Sequence, residues 1–218
     1  MKKRRRLFDR CIPRQFLGDP EVALNPLALP VIELSPPNFI KRSSLPSGKE
    51  GTKQTLKKMN EMWVNDAPQL RWVTGEIITK SGCKVKDYLC EVQIVYEWVR
   101  DNIHWIRDVR EHETLQKPLR TLEAGFGDCD CLTTLLNSML NSIGYDTMAV
   151  AGDLRADTRE YSHVWSRVKV PIITENGPQE QWVPVDASDP GTKFGWESPK
   201  GTKRLTIDDD GHLEEEFF

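Results

Sequence analysis

A cysteine at the start of the most regular helical stretch is the first residue here with the features of a nucleophile. Gly127 and Asp128 precede Cys129, and the apolar spacing from Leu132 onward predicts a helix that begins at this point. At a helix start, unpaired backbone N–H groups and the positive end of the helix dipole favour a thiolate. The backbone N–H of Cys129 could also donate to an oxyanion. The sequence therefore predicts a nucleophilic thiol at residue 129.

Two later residues could complete a catalytic triad with this thiol. A thiol nucleophile needs an imidazole to move protons and a carboxylate to orient that imidazole. His163 lies on one predicted strand, and Asp186 ends the next predicted strand. Each residue alone has an ordinary structural interpretation: a core thiol, a strand histidine and the start of a turn. We predict catalytic roles for Cys129, His163 and Asp186 as a set.

A second thiol lies two residues after the first. At 100° per residue, Cys131 points about 200° away from Cys129 around the helix, so both cannot face one cleft. We predict that Cys129 is the nucleophile and that Cys131 is a packed thiol. Gln116 is a candidate side-chain donor to the oxyanion, and a surface or helix-cap amide is its alternative role.

The sequence indicates no cofactor and no metal site. A zinc site built on Cys129, Cys131 and His163 would need a fourth ligand, and no further close pair of ligands is present. The other histidines are scattered, at His104, His112 and His212. The tryptophans mostly have the spacing of core residues. Trp165, two residues after His163, is the best candidate for a substrate contact.

The predicted elements that position these residues are helices first and strands afterwards. Helices are expected from Thr52 to a stop at Asn65–Pro68, from there to Ser81–Gly82, over 84–102, and from Cys129 to a Gly144 terminator. Strands are expected over 103–106, 146–151, 163–173 and 181–185. This order predicts an α+β domain whose core helix packs on an antiparallel sheet.

The composition is that of a globular protein with one principal domain. The chain has 218 residues, 38% of them hydrophobic and 29% charged, which excludes collagen-like, coiled-coil and fully disordered chains. The net charge of −3 gives no general attraction to nucleic acid. The longest apolar tract is cut by Pro26 and Pro30, and the basic start is not followed by an apolar signal core, so neither a membrane span nor a signal peptide is expected. Five cysteines, an odd and sparse set, favour a reducing compartment with free thiols.

The composition also divides the chain into three parts. Residues 1–46 hold seven of the fourteen prolines and no tryptophan, which predicts an extended basic arm, either a tail or a segment that docks on a partner. Residues 47–200 form the predicted catalytic domain. Residues 201–218 are rich in acidic side chains and are expected to be a C-terminal tail.

The ordered set of Cys129, His163 and Asp186 resembles the transglutaminase-like superfamily, cysteine enzymes of papain-like fold. The similarity covers roughly residues 46–200. Four stretches carry it: 51–59, 115–122, 127–144 and 182–186. The chain looks most similar to the bacterial and phage-encoded branch. It departs from that pattern at Cys131, where relatives often carry an acidic residue.

The resemblance implies a thiol acyl-transfer enzyme that needs no cofactor. A cysteine peptidase or amidase acting on a protein or peptide is the first expectation, and a protein cross-linking transglutaminase is an alternative. A second alternative, of a different class, is a phage virion or assembly protein whose N-terminal arm binds neighbouring subunits, with or without activity. The corresponding locations are the cytoplasm of a bacterial host or the virion. Contact of the basic start with nucleic acid would be non-specific and is not expected to be a function.

Overall fold

The computed structural model describes residues 46, 48–108, 114–153, 161–175, 177–197 and 203–217. The helices in these ranges are α1 (Lys49–Ser81), α2 (Tyr88–Asn102), α3 (Pro118–Ala124) and α4 (Cys129–Ser142). The strands are β1 (His104–Trp105), β2 (Phe126–Gly127), β3 (Thr147–Gly152), β4 (His163–Thr174), β5 (Gly177–Val185), β6 (Lys203–Asp208) and β7 (Leu213–Phe217). Apart from Pro46, the predicted arm lies outside the described residues.

Five strands form one antiparallel sheet in the order β5-β4-β3-β6-β7, and β1 pairs with β2 in a separate parallel pair. The predicted α+β class with an antiparallel sheet is confirmed. In the register of β3 and β4, Gly152 lies opposite His163, so the candidate imidazole stands at the very start of its strand.

Helix α4 is the centre of the core, as its sequence predicts. Leu135, Leu136, Met139 and Leu140 are all fully buried. An amphipathic surface helix would leave one face in water, whereas α4 is covered by α1 on one side and by the sheet on the other. The helix that carries Cys129 is therefore held rigidly by apolar contacts along its length.

Helix α1 is one continuous helix, so the predicted break at Pro68 is wrong. Pro68 has no N–H to donate to the carbonyl of Val64, which normally ends or kinks a helix. Here Pro68 is exposed and Val64 is 39% exposed, so water can reach the freed carbonyl. On the opposite face, Trp63 and Leu70 are fully buried on either side of the proline. Their packing holds the helix together across the missing hydrogen bond.

The predicted acidic tail is, over residues 203–217, part of the sheet. Leu205 and Ile207 point into the core from β6, where they are nearly fully buried. On β7, Glu216 bonds to Arg167 at 2.8 Å and Glu215 pairs with Lys49. Glu215 and Glu216 are thus partners of basic residues at a sheet edge rather than members of a solvated run.

Two of the five cysteines form a disulfide, which corrects the expectation of free thiols. Cys83 follows α1 and Cys90 lies in the first turn of α2, with their Cα atoms 5.8 Å apart. The short connection between α1 and α2 brings these two cysteines together, although the spacing of the cysteines in the sequence is not that of a disulfide-rich protein. Cys129 and Cys131 are free thiols. Among the helices of the described ranges, none has the length and apolar character needed to cross a membrane.

Candidate active site

The predicted nucleophile is the first residue of α4. Asp128 is the N-cap, and its carboxylate accepts the backbone N–H of Cys131 at 3.0 Å. Gly127 ends β2 directly against this turn. A Cβ at that position would lie only 2.6 Å from the Cβ of Cys131. Only a glycine permits so close an approach of the strand to the helix start. The Gly-Asp-Cys run therefore has a structural reason at each of its first two positions.

The predicted imidazole and carboxylate are hydrogen-bonded to each other. Nε2 of His163 lies 2.7 Å from Oδ2 of Asp186. Asp186 follows β5, and the antiparallel pairing of β5 with β4 brings it back to the start of β4. Its second oxygen, Oδ1, accepts both the backbone N–H of Ser188 at 3.0 Å and the Ser188 hydroxyl at 2.7 Å. The carboxylate is thus fixed on both oxygens.

This pairing decides which ring nitrogen of His163 can act on a thiol. A carboxylate at Nε2 favours the tautomer with the proton on that nitrogen, which leaves Nδ1 as the acceptor when the ring is neutral. The imidazole side chain is 19% exposed and that of Asp186 is 7% exposed, so water competes little for their hydrogen bond. The pair has the form of an oriented general base.

The thiol and the imidazole face one cleft, with a volume of about 1390 Å³. The first turns of α4 lie against the start of β4, where the hydroxyl of Thr133 donates to the carbonyl of Val164 at 3.3 Å. The backbone N–H of Val164 is directed to the Cys129 sulfur and favours its anion. The structure therefore brings Cys129, His163 and Asp186 to a single cleft, although they are far apart in the chain.

The environment of Cys129 raises the pKa of its thiol well above the ordinary value. Burial is the largest cause, followed by the charges of Asp130 and Asp128. The thiol donates a long hydrogen bond, 3.5 Å, to Oδ1 of Asp130. The helix start, which by itself favours a thiolate, is opposed here by burial and by two carboxylates in the same turn, both of which favour the neutral thiol.

Comparison with known proteins agrees with this arrangement. The family model of the transglutaminase-like superfamily matches residues 79–187, which is half of the chain and includes Cys129, His163 and Asp186. The chain belongs to the transglutaminase-like superfamily. At the level of the family, this supports a thiol-dependent enzyme.

A search of solved structures found similar chains at low sequence identity. A candidate protease from Parabacteroides distasonis is 13% identical, with a TM-score of 0.46, over 82% of this chain and 35% of that one. A candidate cysteine protease from Cytophaga hutchinsonii is 10% identical, with a TM-score of 0.42, over 70% and 52%. A chain of the Rad4/XPC nucleotide excision repair complex is 13% identical, with a TM-score of 0.45, over 80% and 51%. The chain thus spans about a third to a half of the length of these proteins. A search of curated proteins found no match.

Cys131, the departure from the family pattern, is a packed thiol as predicted. It is 1% exposed, donates to the carbonyl of Thr114 at 3.2 Å and accepts the backbone N–H of Gln116 at 3.3 Å. Burial raises its pKa strongly. Gln116, the candidate oxyanion donor, is not among the described residues that line the cleft, which lends no support to that role.

Trp165, the predicted substrate contact, has its ring almost entirely covered. It is 2% exposed and stacks on His163 with 5.9 Å between ring centroids and 25° between planes. Its indole N–H donates to Glu197 at 2.8 Å, and the guanidinium of Arg204 lies over its ring. A ring with so little free surface supports the imidazole more than it contacts a substrate.

The exposed aromatic surface of the cleft comes from other residues, which sequence reasoning assigned to the core. Trp105 and Trp196 line the cleft and are 49% and 45% exposed. Trp105 is opposite Gly127 in the β1–β2 pair, which sets it beside the helix start. The spacing of these tryptophans in the sequence does not indicate that they are exposed. Their exposure depends on a two-residue strand pair for Trp105 and on a loop for Trp196.

Three consecutive side chains at the helix start have the ligand types of a metal site. The ligand atoms of Asp128, Cys129 and Asp130 lie within 4.8 Å of one another. This is not the zinc set considered from sequence, because Cys131 is directed to Thr114. Asp128 already caps α4 and Asp130 already accepts from the thiol. Both carboxylates therefore have structural partners.

Proposed function

We propose that the protein is a thiol acyl-transfer enzyme, and specifically a cysteine peptidase or amidase with a Cys129–His163–Asp186 triad. The observation that supports this best is the shared cleft: a helix-start cysteine and a histidine–aspartate pair, hydrogen-bonded at 2.7 Å, line the same opening. Membership of a family of thiol enzymes supports the same chemistry.

In the first half of the proposed reaction, Nδ1 of His163 takes the thiol proton as the sulfur of Cys129 attacks an amide carbonyl carbon. The carbonyl oxygen becomes an oxyanion, to which the backbone N–H of Cys129 at the helix start can donate. The imidazolium then protonates the leaving amine, the C–N bond breaks and a thioester remains. Asp186 stabilises the imidazolium and keeps the ring in place.

In the second half, water attacks the thioester carbonyl and gives its proton to His163. The C–S bond breaks, the carboxylic acid leaves, and the proton returns to the sulfur. A primary amine in place of water would give a new amide, which is the cross-linking alternative. Both outcomes share every step up to the thioester, and they differ only in which acceptor reaches its carbonyl.

The test is a full-length chain incubated with denatured proteins and a fluorescent primary amine. We expect a thioester on Cys129 by mass spectrometry and new protein termini as product. Cys129→Ser and His163→Ala should remove both, whereas Cys131→Ser is the matched control that should retain them. Turnover that survives in Cys129→Ser would refute the proposed nucleophile, and amine incorporation without new termini would favour cross-linking.

The alternative of a phage assembly component depends on the arm, whose residues 1–45 lie outside the described residues. It stays a prediction, and it is compatible with an active site. The presence of the chain in purified virions is the observation that would support it.

A further inference from the structure

The carboxylate of the His163–Asp186 pair lies just outside the strand pairing that brings it to the cleft. The last paired residues at this end of β4 and β5 are Ser166 and Val185, and Asp186 follows directly. The ladder therefore sets where the chain leaves the sheet, but it does not fix the backbone of Asp186 itself. That backbone is held by the hydrogen bonds of the turn that follows.

Thr192 closes this turn on its backbone side. Its hydroxyl donates to the carbonyl of Asp186 at 2.7 Å and lies 2.8 Å from the carbonyl of Asp189, so two acceptors share one proton. The backbone N–H of Thr192 also donates to the carbonyl of Asp189 at 3.0 Å. Within the turn, Oδ1 of Asp189 accepts the backbone N–H of Gly191 at 2.7 Å. The two ends of the segment 186–192 are thus joined through one side-chain hydroxyl.

A buried phenol anchors Thr192 to the helical core. The O–H of Tyr96, on α2, donates to the carbonyl of Thr192 at 3.1 Å and lies 3.2 Å from its hydroxyl. Both side chains are buried, so water competes little for these contacts. Leaving a buried O–H without a partner is costly, which favours the docked position of the turn. The ring of Phe194 also lies against that of Tyr96, with 5.9 Å between centroids.

These contacts form a continuous connection from α2 to the imidazole. Tyr96 holds Thr192, and Thr192 holds the backbone of Asp186. Oδ2 of Asp186 in turn lies 2.7 Å from Nε2 of His163. Ser188 fixes the carboxylate relative to its own turn, whereas Tyr96 and Thr192 fix that turn relative to the core. Neither Tyr96 nor Thr192 is among the described residues that line the cleft, which is the placement of supporting residues.

We propose that Thr192 and Tyr96 are positioning residues, which hold the turn of Asp186 so that its carboxylate meets Nε2 of His163. A displacement of about 1 Å at a catalytic group can cost much of the rate. The positioning serves catalysis only if the proposed function holds. The hydrogen bond of His163 is measurable without turnover, so a failure of this proposal and a failure of the proposed function are distinct results.

The first test follows the Nε2–H proton of His163 by NMR in the full-length chain, with the resonance assigned by its absence in His163→Ala. Thr192→Val keeps the shape of the side chain and removes the hydroxyl. We expect this variant to speed exchange of the proton with water about two- to tenfold, the size expected for the loss of one hydrogen bond. Thr192→Ser restores the hydroxyl and should restore slow exchange. If Thr192→Val does not fold, Tyr96→Phe, which keeps the buried ring, decides by the same criterion.

The matched controls remove the same groups elsewhere in the core. Thr74→Val removes a buried hydroxyl that donates to a backbone carbonyl at 3.0 Å, and Tyr145→Phe removes a phenol O–H that donates to a carboxylate at 2.7 Å. Both controls should leave exchange of the His163 proton unchanged. The proposal is overturned if Thr192→Val exchanges at the rate of the unaltered chain. It is also overturned if Thr74→Val speeds exchange equally, because the effect would then be a general loosening of the core.

The second test measures turnover of a denatured protein. A positioning residue acts on the chemical step, so Thr192→Val should lower kcat about two- to tenfold with KM nearly unchanged, and Thr192→Ser should restore kcat. A raised KM at unchanged kcat would overturn the proposal, because it would assign Thr192 to substrate binding. An unaltered chain without turnover would refute the proposed function, and the exchange rates of the His163 proton would still decide the positioning.

Discussion

Adding one methyl group should have opposite effects at Gly152 and Gly75. At the end of β3, a Cβ on Gly152 would lie 2.5 Å from Cη2 and 2.7 Å from Cζ3 of Trp165. That ring cannot easily move, because it is 2% exposed and bonded to Glu197. At Gly75, inside α1, the added methyl group would meet no atom within 4 Å apart from the neighbouring backbone of its own helix. The same substitution thus tests a packed site against an open one.

The expected magnitudes differ in sign. Overpacking a well-filled interior costs about 1–3 kcal/mol, so Gly152→Ala should lower the free energy of unfolding by that amount. Alanine in a helix interior is about 0.5–1 kcal/mol better than glycine, so Gly75→Ala should raise it. Urea unfolding followed by far-ultraviolet circular dichroism measures both. In a chain of this length, each kcal/mol moves Tm by about 2–4 °C.

A double-mutant cycle shows whether the clash with Trp165 is the cause. Leucine at position 165 lacks the ring atoms that the methyl group would meet, so the cost of Gly152→Ala should shrink in a Trp165→Leu chain. The reasoning is refuted if the cost stays the same in that background. It is also refuted if Gly152→Ala and Gly75→Ala change stability in the same direction.

Three further outcomes are expected. Cys131→Ser should leave brief alkylation by iodoacetamide on Cys129 unchanged and cost about 1 kcal/mol of stability, whereas prior labelling of Cys131 would place the nucleophile two residues wrong. Asp130→Asn should lower the pKa of the Cys129 thiol, because it removes a nearby negative charge. The rise of the alkylation rate with pH should then move to lower pH. An unchanged pH profile would exclude the Asp130 charge as a cause of the raised pKa. Reduction of the Cys83–Cys90 disulfide should lower the free energy of unfolding by about 2–3 kcal/mol, and a Cys83→Ser chain whose Tm responds equally to reductant would contradict that assignment.

The parts of the site that sequence could predict are those fixed by local rules. A helix start after Gly127-Asp128 follows from capping, and the position of Cys129 follows from the helix. The order of His163 and Asp186 on two successive strands fixes their meeting, because antiparallel neighbours return to the same end of a sheet. The positions of these residues are set by their own segment of the chain or by the strand that pairs with it.

The parts that could not be predicted depend on contacts between distant segments. Glu197 lies in a loop and accepts a hydrogen bond from Trp165. Ser188 donates a hydrogen bond to Asp186 within a turn, and the sequence indicates that turn without fixing its geometry. In β6, the alternation of Leu205 and Ile207 is short and is hidden by the acidic residues that follow. The exposure of Pro68 decides that α1 continues, and exposure is a property of the folded chain.

The thiol environment determines which kind of cysteine chemistry fits this site. A preformed thiolate–imidazolium pair requires surroundings that favour the sulfur anion, and here burial, Asp130 and Asp128 favour the neutral thiol. In the proposed reaction, the proton then has to leave the sulfur as the carbonyl is attacked, so the base has to be aligned beforehand. The structure meets that requirement on the other side of the cleft, where Asp186 holds Nε2 of His163 at 2.7 Å and is itself held by Ser188. In the proposed triad, a thiol whose surroundings favour its neutral form, together with a hydrogen-bonded imidazole, favours general-base activation over a resting ion pair.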